Sequence, residues 1–491
     1  MKDAVRIILS LFIFSLLLSC KKDSNDLPYV YDASKGFPED VAKIINTKCN
    51  TTGCHTANAK AAAGGLSMET WDQMFEGSNG GAVTIPYRPD YSWIMYYTNT
   101  DTAWGPALTP NMPYNAQPLS IDEWNTLNQW VINGAPKNDG SIAFPNNADR
   151  KKFYVANQGC DVVTVFDADT KLAMRYVNVG NNPDAIEVPH QVKVSPDGKY
   201  WYVCFVYGTT VQKFSTLDDS YIGEVSVGVG YWNTMTFTSD GSRAWVVDWE
   251  NEGRIAYIDL DNLTFLRYYQ STDFVFPHGS EVNAAGTVLY ITAQYGNQIF
   301  KFDVSDGMNP SYETIPMDGL SPNNVQGTYD PHQIYLSPDE SKYFVTCQAS
   351  NEVRVFKTAN DSLIKVIPVG QYPLEMAFSN THSYMFVTCE YDPCAEAKCE
   401  GSVYVIDYNT FEVKAVIQSG IFQPHGIGVL DNIGYAVVAS RNLDVSGPLP
   451  HHTGTCGGRN GFIQLIDLTT LQFIDGYRSE VSVDPYSVGV R

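Results

Sequence analysis

Basic side chains are scarce in this sequence. Its 491 residues hold 32 Lys and Arg against 54 Asp and Glu, a formal net charge of −22, and few of the basic residues cluster. Nucleic acid and anionic membrane surfaces both call for a basic face, so neither suits this chain as a partner. Long apolar runs are also missing. The one run, residues 7–18, falls short of the roughly 20 residues a transmembrane helix needs, and no later segment could span a bilayer. No Ser/His/Asp arrangement, Gly-rich phosphate loop or zinc-type cysteine pairing stands out. Abundant instead are Tyr (31), Gly (38) and Pro (26), a composition that suits a turn-rich β protein. The length argues for two or more domains.

The N-terminus reads as an address. A Lys2/Arg6 head precedes the short apolar run, which predicts a secretory signal rather than a membrane span. Leu17-Leu18-Ser19-Cys20 resembles a bacterial lipobox. That resemblance implies lipidation of Cys20, removal of residues 1–20, and an exported protein anchored by lipid to a bacterial membrane, periplasmic or at the outer-membrane surface. The alternative is an ordinary signal peptide cut nearby. Residues 21–36, starting Lys21-Lys22-Asp23-Ser24, then form a polar tether. In an exported chain each of the other nine cysteines could enter a disulfide.

Residues 37–137 read as a small, mainly helical domain. Pro38-Glu39-Asp40 starts a helix, and Val41, Ile44, Ile45 and Lys48 carry it at helical spacing into Cys49. Ser120-Ile121-Asp122-Glu123 fits a capping box, followed by the stripe Trp124, Leu127, Trp130 and Val131 and stopped by Gly134 and Pro136. Between the two helices lie Cys49-Asn50-Thr51-Thr52-Gly53-Cys54-His55 and Met112-Pro113. Two thiols followed by histidine can carry a haem through thioethers, with His55 as one axial ligand and Met112 as the other. A haem would also fill a core for which regular structure is thin. The alternative is a Cys49–Cys54 disulfide beside a surface His55. Met68, Met74 and Met95 compete as distal ligands, but only Met112 precedes a proline in a loop just ahead of the last helix.

The order of parts in this segment resembles a class I cytochrome c of the kind found in large exported bacterial proteins. The helix ending in the Cys/Cys/His motif comes first, then Gly65-Leu66-Ser67-Met68, Arg88-Pro89-Asp90, Asn111-Met112-Pro113 and the final helix. The resemblance implies one haem c, thioether-bonded at Cys49 and Cys54, with His55 proximal and Met112 distal. It also implies a redox partner protein or respiratory electron carrier. The spacing departs from the usual pattern, C-x4-C-H in place of C-x2-C-H.

Past a linker at 138–150, residues 151–491 are repetitive. Pro189-His190-Gln191 and Pro331-His332-Gln333 each lead into a strand and a Ser-Pro-Asp turn. Weaker copies start at Trp232, Pro277, Pro373, Pro424 and Pro485, so the seven starts lie 43, 45, 54, 42, 51 and 61 residues apart. Four strands per repeat is a β-propeller blade. Residues 152–188 supply strands two to four of a blade whose first strand is residues 486–491, and joining them closes a seven-bladed, all-β ring. The repeats resemble the exported YVTN-type family.

Four of the eight histidines, His190, His278, His332 and His425, hold the same repeat position at the start of the innermost strand. A long insertion at 441–460 in the sixth blade carries His451, His452 and Cys456 toward the same face. Converging imidazoles suit copper, zinc or iron, or a second haem-like cofactor. The two-domain plan also resembles the two-haem nitrite reductases and nitrous oxide reductase. Against a full histidine ring, the other three starts carry Asn233, Leu374 and Tyr486; the alternative is that each histidine bonds backbone and fixes its strand. Cys204, Cys347 and Cys389 read as equivalent buried residues, Cys394 and Cys399 as a disulfide, and Cys160 and Cys456 as a possible pair. Two functions follow: electron relay between the haem and chemistry on the propeller face, or a propeller that binds a ligand or protein while the haem serves an external partner.

Overall fold

A computed structural model describes residues 29–441, 456 and 461–491. Cys20, the signal segment, His451 and His452 lie outside the described residues. Seven four-stranded antiparallel sheets form the ring, the sixth extended by one short extra strand. Their innermost strands are Pro189–Val194, Trp232–Phe237, Pro277–Val282, Pro331–Leu336, Pro373–Ser379, Pro424–Leu430 and Pro485–Val490. These are the seven starts read from the repeats, and we number the blades one to seven in that order. The last innermost strand pairs with Lys152–Asn157, matching Phe153 to Val490 and Asn157 to Pro485. Blade seven is therefore built from both ends of the propeller segment, and no open sheet edge is left at the seam. The chain forms a seven-bladed β-propeller.

Two backbone features recur at the top of the blades. Every innermost strand carries one extra residue against its neighbour: Pro277 and Ser280 face Ala293 and Ile291, and Pro331 and Ile334 face Cys347 and Val345. Such a bulge bends the strand and re-aims the extra side chain. In addition, the residue before the strand has positive φ in six blades: Val188, Phe276, Asp330, Tyr372, Gln423 and Asp484, at 43° to 61°. In all six the next residue is proline. The exception is blade two, where Tyr231 precedes Trp232. A left-handed non-glycine residue costs about 1–2 kcal/mol, and here it lets the carbonyl accept from the end of the second strand, as Val188 does from Val206 N (2.9 Å) and Phe276 from Gln294 N (2.9 Å).

The N-terminal region is a set of short helices with their own apolar core. They are α1 (Glu39–Ile44), α2 (Trp71–Met74), α3 (Trp93–Thr98) and α4 (Ile121–Ile132). Phe37, Val41, Ile45, Met68, Trp71, Leu127 and Trp130 share one cluster. The Ser120/Glu123 capping box on α4 is formed in both directions. The helix expected to run unbroken into Cys49 instead widens after Ile44 into a π turn, Ile45–Cys49, a distortion often found at functional sites.

Residues 29–36 and 138–150, expected to be tether and linker, are packed. Tyr29 and Tyr31 lie against the helical core, Asn138 N donates to Gly36 O (2.8 Å) and its amide to Ala33 O (2.7 Å). Phe144 packs into the propeller, and Arg491 donates to Arg150 O (2.8 Å). Nor is the helical region leashed loosely. Tyr91 stacks on Tyr176 at 4.1 Å, Arg88 donates to Asn178 Oδ1 (3.0 Å), and Glu480 N donates to Gly80 O (3.3 Å). Ile85 and Tyr91 belong to the same buried cluster as Phe153 and Val437 of the propeller.

Candidate functional site

The π turn delivers Cys49 to the wall of a cavity of about 540 Å³ within the helical region. That volume lies in the roughly 300–1,000 Å³ range of small-molecule and cofactor sites. Cys49, Cys54, His55 and Met112, separated by up to 63 positions in the sequence, all line it, with apolar wall from Leu66, Val83 and Ile94. Of the competing methionines, Met68 also lines it, while Met74 and Met95 do not. Cys49 and Cys54 are not bonded to each other; Cys49 is buried and Cys54 exposed. Burial, reinforced by the neighbouring Cys54 thiol, pushes the Cys49 thiol up to about 12.

His55 is oriented by the backbone. Its Nδ1 lies 3.4 Å from Leu66 O. A carbonyl can only accept, so Nδ1 carries the proton and the Nε2 lone pair is left free. Burial holds this imidazole below its ordinary value, which keeps the lone pair available. Met112 is half-buried and fixed by its backbone N–H donating to Tyr97 O (2.7 Å).

On the propeller, the bulge explains where the repeated histidines go. His190, His278, His332 and His425 occupy the re-aimed position and close on the ring axis. Ring centroids run 5.9 Å from His190 to His278, 3.9 Å on to His332 and 5.7 Å on to His425. Tyr486 completes the circuit at 3.5 Å from His425 and 4.5 Å from His190. Three imidazoles donate Nδ1–H to the carbonyl of the equivalent residue in the next blade: His190 to Asn233 (2.8 Å), His278 to His332 (3.1 Å) and His425 to Tyr486 (2.9 Å). His332 faces the Leu374 carbonyl too loosely for a hydrogen bond; that oxygen accepts from Thr346 Oγ1 at 2.8 Å. Three of the four rings thus stitch adjacent blades through Nδ1. Among the described residues no group of three or more His, Cys, Asp or Glu is arranged to hold a metal ion.

Burial dominates the protonation of this circuit. It holds His278 down to about 4 and pushes His332 and His425 well below the ordinary imidazole value. Below about pH 6.5 the unfolded chain takes a proton on His278 that the folded protein refuses until about pH 4. Stability contributed by the neutral form is therefore full above 6.5 and is lost as pH falls through that window, on the order of 3 kcal/mol for this residue. Glu281 and Glu375, lower in the channel and raised by burial to about 7, bias stability the opposite way. The test is thus a comparison: urea midpoints of wild type and His278→Asn between pH 7 and 4 should converge as pH falls. Parallel curves would refute the assignment.

The remaining cysteines divide. Cys160–Cys456 and Cys394–Cys399 are disulfides with Cα atoms 5.7 and 5.4 Å apart. Cys204, Cys347 and Cys389 are fully buried, but they are not all equivalent. Cys347 and Cys389 pair with the strand-opening Pro331 and Pro373, whereas Cys204 pairs with Gln191 and Phe205 takes their position. Cys204 instead shares the position of Thr346 and Thr388, and like them points at a next-blade carbonyl, Asn233 O at 3.4 Å. Missing from the sequence reading was Arg441, which is buried and ties Asp484 (2.6 Å) to Glu390 (2.9 Å) across blades five to seven.

Comparison with known proteins agrees with the fold. Residues 218–416, less than half of the chain, match the family described as Lactonase, 7-bladed beta-propeller. Among solved structures, a chain of Kuenenia stuttgartiensis hydrazine synthase is 16% identical, with 63% of this chain and 93% of that one covered at a TM-score of 0.49. A functionally unknown protein from Desulfotomaculum acetoxidans DSM 771 is 12% identical, with 68% and 99% covered at a TM-score of 0.50. At that identity the likeness is one of fold alone. No curated protein matches the sequence.

Proposed function

We propose that this chain is an exported, lipid-anchored c-type cytochrome fused to a propeller. The observation that carries this reading is the single cavity lined at once by Cys49, Cys54, His55 and Met112. The residues fit the group: two unpaired thiols for thioethers, an imidazole whose Nε2 is presented by a backbone-held Nδ1, a thioether sulfur on Met112, and an apolar wall. A haem c held there supplies reversible one-electron chemistry. The chain's own part is to fix His55 through Leu66 O, to exclude water with Leu66, Val83 and Ile94, and to hold Met112 through Tyr97 O. Anchorage rests on the lipobox-like Cys20, and the electron partner is a redox protein or respiratory carrier. No helix of the described residues is long and apolar enough to cross a membrane.

For the propeller we favour a binding scaffold over a second cofactor centre, because Asn233, Leu374 and Tyr486 interrupt the ring of imidazoles at the strand starts. Protein made in cells with haem-attachment machinery should show a reduced c-type absorption band that survives denaturation, and should fractionate with membranes. Colourless protein under those conditions overturns the reading.

A further inference from the structure

The cavity of the helical region opens to solvent, and the rim of that opening is almost without charge. Gly53, Cys54, Ala62, Gly64, Pro110 and Tyr114 line the cavity and are exposed. None of its exposed lining residues is Asp, Glu, Lys or Arg. Among all the lining residues Lys48 alone is a charged one, and its ammonium lies 3.8 Å from Glu123.

The two stretches of chain that build the rim share this character. From Thr102 to Ile121, the segment that brings in Met112, no Asp, Glu, Lys or Arg occurs. From Cys49 to Met68 there is only Lys60, whose ammonium lies 2.8 Å from Glu76. Yet 18% of the whole chain is charged and its net charge is −22. Apolar groups take the place of the missing charges. Tyr114 is 63% exposed and shares its segment with the exposed Pro106, Ala107 and Pro110, while Ala61, Ala62 and Gly64 are exposed on the other stretch. An exposed aromatic ring among small apolar residues, with charge kept out, is the composition of the centre of a protein–protein contact.

We propose that this rim docks a redox protein that presents an equally uncharged, apolar patch around its own metal centre. The inference rests on the haem proposed for the cavity and names the kind of partner that meets it. Charge selects this partner over others. A protein that docks through basic side chains finds no free carboxylate on the rim and many elsewhere on this acidic chain. A second copy of the chain brings another −22 and is repelled before the rims can meet. The contact belongs to the small, weak class below about 1,200 Å², which suits carriers that must leave after each encounter. Each encounter moves one electron between the two metal centres, oxidising one and reducing the other, with no bond made or broken.

The test uses the full-length protein and two probes: a blue-copper protein of near-zero net charge with an apolar patch at its copper, and a basic mitochondrial-type cytochrome c. Docking is read from amide shift changes in the isotope-labelled probe, a readout that needs no electron transfer. The copper protein should bind, and its affinity should change less than about twofold between about 0.01 M and 0.1 M salt, over which the Debye length falls from about 30 to 10 Å. Tyr114→Glu and Ala62→Glu should each weaken docking about tenfold, because each buries an unpaired carboxylate in the contact. Neither should shift the melting temperature. The same charge at Val229, 82% exposed on the propeller, should leave docking unchanged. Absence of docking by the copper protein overturns the proposal. So does a preference for the basic cytochrome that fades as salt rises, or weakening by Val229→Glu and not by Tyr114→Glu, which would move the contact to the propeller. The expected docking pattern in protein without the c-type band would uphold the surface and overturn the haem reading alone.

Discussion

Protein carrying Cys49→Ala and Cys54→Ala together should contain no covalently attached haem, a complete loss detected by haem staining after denaturing electrophoresis. The effect is large because both thiols face the same cavity and no other described cysteine does. Each single variant keeps one thiol on the wall and should retain covalent haem at reduced yield. Without its occupant, a void of about 540 Å³ must collapse or fill with water, so the helical region of the double variant should melt earlier while the propeller transition stays in place. Met112→Ala separates attachment from ligation. It should stay coloured yet lose methionine ligation, which lowers the reduction potential because a methionine/histidine pair raises it. Full colour in the double variant would show that the thiols are not attachment sites.

Ending the chain after Asp484 should prevent the propeller from folding. Residues 485–490 form the innermost strand of blade seven and pair with Lys152–Asn157 along its length. Their loss also strips His425 of its Tyr486 carbonyl acceptor and removes Arg491, which ties Gly198 O (2.7 Å) to Arg150 O (2.8 Å). Those terms together rival the roughly 5–15 kcal/mol that hold a domain folded. The expected outcome is insoluble protein, or soluble protein without a cooperative thermal transition. A truncated protein that melts as a single transition near the full-length temperature would show that the seam contributes little.

What could be read from the sequence was whatever repeats in register. Pro-His opens four innermost strands and Ser-Pro-Asp closes two of them, and keeping that register made all seven starts and the closing of the ring legible. The bulge was not. Alternation with period two cannot reveal one extra residue, and that residue decides where the histidines point. The phase of Cys204 was open to counting, since it lies 15 residues after Pro189 whereas Cys347 and Cys389 lie 16 after Pro331 and Pro373. The limits of periodicity also hid the π turn: Val41, Ile44, Ile45 and Lys48 fit an α-helix, yet Asn50 N reaches back to Ile45 O, one residue further than α geometry. The four lining residues Cys49, Cys54, His55 and Met112 were legible as chemistry because thiol, imidazole and thioether are rare side chains. The packing of Tyr29 and Tyr31 was not, because two tyrosines in a polar stretch carry no periodicity. Arg441 was missed for a similar reason, since its partners lie in other blades.

The seam of blade seven also sets a timetable. Lys152–Asn157 and Pro485–Val490 are more than 300 residues apart, so at a synthesis rate of about 5–20 residues per second the first strand waits roughly 15–65 s for the second. Throughout that interval its backbone donors and acceptors stand open to any passing strand. Glu480, which adds a contact between the helical region and blade six, arrives almost as late. The nascent protein therefore spends most of its synthesis as an incomplete ring, which makes those first strands the point at which a holding chaperone has the most to protect.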